Sequence, residues 1–444
     1  MLKSKTRINA LYEEELGRFI AARPRSRELH LKARQHMPNG VPMAWMKGLF
    51  DHPPLFIDHG EGAYITDVDG HRYLDLNVAD MSMSPGYAPP AIVRTLSEQA
   101  AKGVQFLLPG EDSITVSTLL TERFLLPYWQ YTLSASTANA EAMRLARIAT
   151  SRQTILMFHG GYHGHIDDWL MASEMGTVKP GKHAGTLMVH FNDLAAVEKA
   201  LSEFDIAAVV AEPAMTNVNL VLPQNGFLDG LRALTQKHGT LLIYDETHTH
   251  VCAWGGLTRH WRLNPDILVV GKSIASGIPM GVYGMTKALR DVMESHIEVE
   301  RWPQSGEGDL AVGGTLFGNA LSMAAARTTL TEILTPENQK RAATLGALLA
   351  DRIDAAIYKR QLPWTTHRLF CRSGLCYGKQ PINSMEASRS ADFDLNRLQR
   401  IYFANRGVWE AVATAGPTVP LCATGKDIDL YGDVLNAWLD EIVE

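Results

Sequence analysis

The chain has 444 residues, 46% of them hydrophobic and 20% charged, with 42 basic side chains against 48 acidic ones and a formal net charge of −6. That length predicts more than one packed unit, and the apolar content excludes an intrinsically disordered chain. No surplus of Lys and Arg is present to neutralise phosphates, which argues against a nucleic-acid partner, and no apolar run is long enough to cross a bilayer.

The opening stretch MLKSKTRINALYEEELGRF is charged and polar, without the apolar core of a signal peptide. Cys252, Cys371, Cys376 and Cys422 show no CxxC spacing and are too few for a disulfide framework. Both features predict a soluble, cytoplasmic protein with reduced thiols.

In chain order, the first forty residues read as an amphipathic helix that stops at Met37-Pro38-Asn39-Gly40. The segment GEGAYITDVDGHRYLDL alternates apolar and polar residues around Asp69-Gly70, a hairpin pattern. From about Pro89 to Arg327, short apolar runs alternate with helical stretches: Ile155 to Phe158, Thr186 to Val189, Ala207 to Val210, Leu241 to Tyr244 and Ile267 to Val270. Runs that are apolar throughout suit strands covered on both faces, as in a parallel sheet between helices. Between the third and fourth runs, GFLDGLRALTQKHG carries Phe227, Leu231 and Leu234 at helical spacing and ends at Gly239, which makes a βαβ unit. After residue 328 a long helix, PENQKRAATLGALLADRIDAAI, opens a less apolar region. The expected fold class is α/β. Residues 89–327 form a large domain with a mostly parallel sheet, and 1–88 with 328–444 contribute a smaller α+β domain.

Ligands of such sheets gather at the carboxyl ends of the strands. There the fourth run is followed by Asp245-Glu246 and the fifth by Gly271-Lys272-Ser273. Either residue alone reads as half of an ion pair at the sheet rim. Together they supply what pyridoxal 5′-phosphate (PLP) requires, a lysine to form a Schiff base and an acid to keep the ring nitrogen protonated. Ser134-Ala135-Ser136-Thr137 opens a helix with an apolar stripe at Ala138, Ala142, Leu145 and Ala149, and so offers backbone N–H groups to a phosphate. Tyr162, in a glycine-rich loop after the first run, is an aromatic available to stack on the ring.

These motifs, in this order, resemble the class III, fold-type I PLP-dependent aminotransferases, especially the branch of glutamate-1-semialdehyde aminomutases and β-amino-acid aminotransferases. The resemblance runs from about Met37 to the C-terminal helix. It implies that Lys272 is the Schiff-base lysine and Asp245 the partner of the pyridinium nitrogen. It assigns Tyr162 to ring stacking, Ala135 and Ser136 to the phosphate, Asn217 to the 3′-oxygen and Thr247 to the second ring face. Thr315 matches a threonine that reaches the phosphate of the neighbouring subunit, which implies a homodimer with active sites at the interface.

The chain departs from the family in three places. Ala135 stands where the family has glycine, adding a methyl group near the phosphate. Met46 stands where aminomutase relatives carry an arginine for the substrate carboxylate, so a bidentate contact is absent. Trp45, Met43 and Met46 fit either an apolar substrate pocket or plain packing of the N-terminal segment; Arg406 is an alternative carboxylate ligand. Asp245-Glu246-Thr247-His248-Thr249-His250 brings two unusual histidines. Even with His163 and His165, their spacing does not make a metal site, and they read as hydrogen-bonding support. The expected activity is transfer of an amino group from a small-molecule amine or amino acid to a keto acid by a ping-pong mechanism. An aminomutase or amino-acid racemase on the same scaffold is the alternative, and a binding module that has lost catalysis is disfavoured by the retention of Lys272 and Asp245.

Overall fold

The structure is a computed structural model describing residues 1–49, 52–173, 185–297, 310–410 and 416–444. The chain divides into two compact units. One comprises residues 1–89, 340–380 and 388–444, and the other residues 90–339 and 381–387. Among the described residues no helix is long and apolar enough to cross a membrane.

The smaller unit carries β1 (Ile57–Glu61), β2 (Tyr64–Asp67) and β3 (Arg72–Asp75), an antiparallel meander. The turn between β2 and β3 is the expected one, with Gly70 at φ +87°. The N-terminal region is two helices, Lys5–Ala21 and Pro24–Ala33, where periodicity alone predicts one. The break falls at Pro24, whose ring is tolerated at a first helical position and not inside a helix. The chain ends meet: Lys3 N–H donates to the Ile442 carbonyl at 2.8 Å, and Arg397 reaches Asn9 Oδ1 at 2.9 Å.

The larger unit holds a seven-stranded sheet of β4 (Tyr128–Thr132), β5 (Thr154–Phe158), β6 (Thr186–Val189), β7 (Ile206–Ala211), β8 (Leu241–Asp245), β9 (Ile267–Val270) and β10 (Gly281–Met285). Its order is β4-β10-β9-β8-β7-β5-β6, and only β10 runs against its neighbours. The five apolar runs are the five strands β5 to β9. All residues of β7 and β9 are buried because helices cover both faces. The helix Ala135–Thr150 lays Ala138, Ala142 and Leu145 onto the sheet, each fully buried beside Val210, Ile243 and Val269. Burying that much apolar surface, at about 25 cal/mol per Å², ties the start of this helix to the strand ends.

Patterning does not reveal β10, because its glycines read as a loop. A Cβ on Gly284 would sit 2.6 Å from the Trp129 ring, so glycine marks a close approach inside a strand. The larger unit continues to Gln339, beyond the expected 327. Arg123 Nη2 holds the carbonyls of Leu330 and Leu334, and Gln339 Nε2 donates to the carbonyls of His250 and Val251. The smaller unit then completes itself with the hairpin β11 (Thr365–Leu369) and β12 (Arg372–Cys376), with β13 (Val408–Trp409) parallel to β3, and with the C-terminal helix Gly425–Ile442.

Candidate active site

Five strands of the larger unit end on the same edge of the sheet, and each delivers part of one polar cluster. Asp245 closes β8, its register partner is Val269 on β9, and Lys272 follows two residues after β9 ends. Lys272 adopts φ +52°, a left-handed conformation that costs a non-glycine residue about 1 kcal/mol. Its Nζ lies 2.5 Å from His248 Nε2.

Asp245 is 3% exposed and accepts from four donors. His163 Nδ1 at 3.0 Å and Asn139 Nδ2 at 2.8 Å share Oδ2, while the Thr247 N–H at 3.0 Å and Oγ1 at 2.5 Å share Oδ1. Burial alone would push this carboxyl up. The bonds from His163, Thr247 and Asn139 outweigh it, so Asp245 sits below the usual aspartate range and is ionised. A buried carboxylate kept charged by surrounding donors is equipped to hold a protonated ring nitrogen.

Beside it, β4 leads into Ser134, which caps the helix Ala135–Thr150 by accepting from Thr137 N–H. The first N–H groups of a helix have no partners within it, and its positive end attracts anions. Three glycines bring backbone against this turn. A Cβ on Gly164 (φ +94°) would lie 2.1 Å from Ser136 Oγ, one on Gly281 2.3 Å from the Ser134 carbonyl, and one on Gly271 2.8 Å from Ala135 Cβ. Ser136 Oγ accepts from His165 N–H at 3.1 Å. Tyr162 is half-buried, its ring edge-on to Trp169 with centroids 4.8 Å apart and its hydroxyl 3.1 Å from His165 Nδ1.

After β7, buried Glu212 accepts from Tyr162 N–H and from both the N–H and Oγ1 of Thr216. Burial raises its proton affinity above the ordinary glutamate value. Asn217 Nδ2 lies 3.5 Å from both Glu212 Oε1 and His248 Nδ1. Glu246, also raised by burial, binds Thr249 Oγ1 and the N–H groups of Leu257 and Thr258, which fixes the loop carrying His248 and His250. His250 pairs with Ser273 Oγ at 3.0 Å; burial and Arg123 push its pKa down to about 3, so it is neutral. Among the described residues no three His, Cys, Asp or Glu side chains gather as metal ligands.

The structure thus brings Ala135, Ser136, Tyr162, Asn217, Asp245, Thr247 and Lys272 to one sheet edge. Thr315 is exposed on the turn before Asn319, its carbonyl held by Gln105 Nε2. In the smaller unit, Met43 and Trp45 are 48% and 46% exposed, while Met46 is half-buried. Arg406 makes a two-pronged pair with buried Glu15 at 3.1 Å on each arm and stacks on Tyr402, so its guanidinium is already engaged. Sequence reasoning passed over Asn139, Thr216 and Glu212. A signal existed for Asn139, a polar residue on an otherwise apolar helix stripe.

An amine, a helix N-terminus walled by close-approach glycines and a buried ionised acid are the parts that a PLP site requires, and the residues present fit that cofactor. The sheet order and this site define the fold-type I architecture of PLP-dependent enzymes. The chain belongs to the class-III aminotransferase family, whose model matches residues 48–363, and is a PLP-dependent enzyme of that class. It is 33% identical over 426 residues to glutamate-1-semialdehyde 2,1-aminomutase 2 of Brevibacillus brevis, covering 92% of this chain and 96% of that one. A glutamate-1-semialdehyde-aminomutase of Pseudomonas aeruginosa PAO1, solved in complex with PMP, superposes with a TM-score of 0.93 at 34% identity over the whole of both chains. A β-phenylalanine aminotransferase from Variovorax paradoxus gives a TM-score of 0.87 at 25% identity, covering 98% of this chain and 97% of that one.

Proposed function

We propose that the enzyme transfers an amino group from an amine or amino acid to a keto acid. The observation that carries this reading is Met46 at the position where the resemblance to aminomutases calls for a carboxylate-binding arginine. A thioether offers no guanidinium fork, so a dicarboxylate-like substrate loses its anchor there. Exposed Trp45 and Met43 on the same segment favour a donor with an apolar or aromatic group.

When bound, PLP supplies the electron sink for breaking bonds at the amine-bearing carbon. Lys272 Nζ would hold it covalently, and the free amine of the same residue would serve as the acid and base that moves protons. The Asp245 carboxylate would hold the ring-nitrogen proton. Ser136 and the N–H groups of Ala135 and its neighbours would bind the phosphate; Tyr162 and Thr247 would confine the ring, and Asn217 would orient its oxygen. Exposed Phe106, Leu107 and Leu108, 53%, 69% and 76% accessible, together with Thr315 support a homodimer in which each copy completes the other's phosphate site.

A second reading, an aminomutase, is favoured by the 33% identity to aminomutases over most of the chain. Mixing the PLP-loaded enzyme with one amino donor and no acceptor separates the two. A transaminase accumulates the PMP absorbance and releases one keto product per site. An aminomutase returns to the starting spectrum with isomerised product, and that outcome would replace the first reading. The donors to try are β-amino acids, both α-amino-acid enantiomers and simple amines.

A further inference from the structure

His248 stands between the reactive amine and a buried acid. Its Nε2 is 2.5 Å from Lys272 Nζ, and its Nδ1 is 2.7 Å from Thr216 Oγ1, which is itself 2.7 Å from Glu212 Oε2. His248, Thr216 and Glu212 are 5%, 0% and 4% exposed, so bulk water does not exchange protons freely along this line.

The hydrogen count constrains how the line is wired. An ionised Glu212 only accepts, so the single Thr216 hydroxyl proton is spent on Oε2 and Oγ1 is left to accept from His248 Nδ1–H. A neutral imidazole carries one ring proton, so the Nε2 lone pair faces Lys272. The Asn217 amide at 3.5 Å from Nδ1 pulls toward the opposite assignment, but the 2.7 Å contact is the stronger one and decides it. With Glu212 protonated, every bond reverses and the chain is again fully satisfied.

From these two wirings we infer that Lys272, His248, Thr216 and Glu212 form a proton relay that toggles the lysine between ammonium and amine. The Nζ–H bond breaks with its electron pair left on nitrogen, and a new N–H forms at Nε2. Nδ1 gives its proton to Oγ1, and Oγ1 gives its own to Oε2. The net change is Lys272 ammonium plus Glu212 carboxylate to amine plus carboxylic acid, with charge conserved. The raised proton affinity that burial gives Glu212 suits it to the end of the line. His248 faces Lys272 beyond β9 and Glu212 beyond β7. Asp245 and His163 lie one step further, both electrostatically coupled to Glu212. The relay rests on the proposed role of Lys272 as the cofactor-binding residue.

The test is the rate at which apo enzyme captures PLP covalently, followed as the rise of visible absorbance in a stopped-flow instrument between pH 6 and 10. His248→Gln keeps a polar contact to Nζ but cannot pass a proton on, and Thr216→Val removes the hydroxyl at constant shape. Both are expected to slow capture about a hundredfold near pH 7 and to converge on the wild-type rate at high pH, where solvent deprotonates the lysine; free imidazole should restore His248→Gln at low pH. Profiles parallel to wild type would overturn the relay. In the unmutated apo enzyme, 15N spectra of labelled histidine should show the His248 tautomer changing with the same midpoint as the capture rate. A tautomer constant over that range would also overturn it. If wild type gains no visible absorbance, or Lys272→Ala still gains it, the reading of Lys272 itself fails, a result distinct from altered pH profiles.

Discussion

His163 Nδ1 donates to Asp245 Oδ2 at 3.0 Å, with both side chains at most 3% exposed. With its Nδ1–H aimed at the carboxylate, His163 acts here as a directed donor, and with Asn139 and Thr247 it lets a carboxylate stay charged in a dry site. Asp245→Asn keeps the shape and removes the charge. We expect kcat to fall at least about a hundredfold, or about 2.7 kcal/mol of barrier, while covalent capture of PLP at Lys272 persists. Comparable kcat in the two proteins would remove Asp245 from the chemistry.

Gly271 and Ala135 face one another where the lysine turn meets the start of the helix Ala135–Thr150. Gly271→Ala would bring two methyl groups to 2.8 Å, and we expect a loss of about 1–3 kcal/mol in stability and weaker PLP retention on dialysis. Adding Ala135→Gly removes one of the two methyls and should recover part of the loss. A double-mutant cycle with no coupling would show that the two sites do not meet.

Glu246 ties down the loop bearing the two histidines through Thr249, Leu257 and Thr258. Glu246→Ala leaves these buried donors without their acceptor and should cost about 3 kcal/mol, read as a lower urea midpoint. Thr249→Val removes one donor alone and should cost less. An unchanged midpoint for Glu246→Ala would refute the anchoring role.

In the smaller unit, Glu410 accepts from Tyr431 and Gln399. Burial pushes it up to about 7 against those bonds. Between its unfolded value of about 4.5 and its folded value, the folded chain therefore binds the extra proton. The contribution is complete below about pH 4.5 and is lost as pH rises through 7, on the order of 3 kcal/mol. Urea midpoints at pH 6 and pH 9 should differ in that direction, and Glu410→Gln should narrow the difference. Equal midpoints at the two pH values in wild type would contradict this.

The pattern of buried runs revealed the parallel strands, because residues covered on both faces must be apolar throughout. It also drew attention to Lys272 and Asp245, a lysine and an acid close behind two neighbouring runs. The strand β10 was hidden, because Gly281 and Gly284 are chosen for what lies across from them, Ser134 and Trp129, and not for strand propensity. Thr216 and Glu212 were hidden for a related reason. The partners that tie them to His248 and Tyr162 sit 32 and 50 positions away, and nothing local marks a threonine as the link between a histidine and an acid. Arg406 illustrates the converse, for its pairing with Glu15 spans 391 positions and no nearby pattern announces it.

The left-handed backbone at Lys272 has a consequence for evolution and engineering. Selection for stability alone would place glycine or asparagine at this position, each more at ease with φ +52°. The chain instead keeps a long cationic residue where local preference opposes it. Libraries screened only for heat resistance should therefore drift toward Lys272→Gly, gaining robustness and losing the amine on which the proposed chemistry depends.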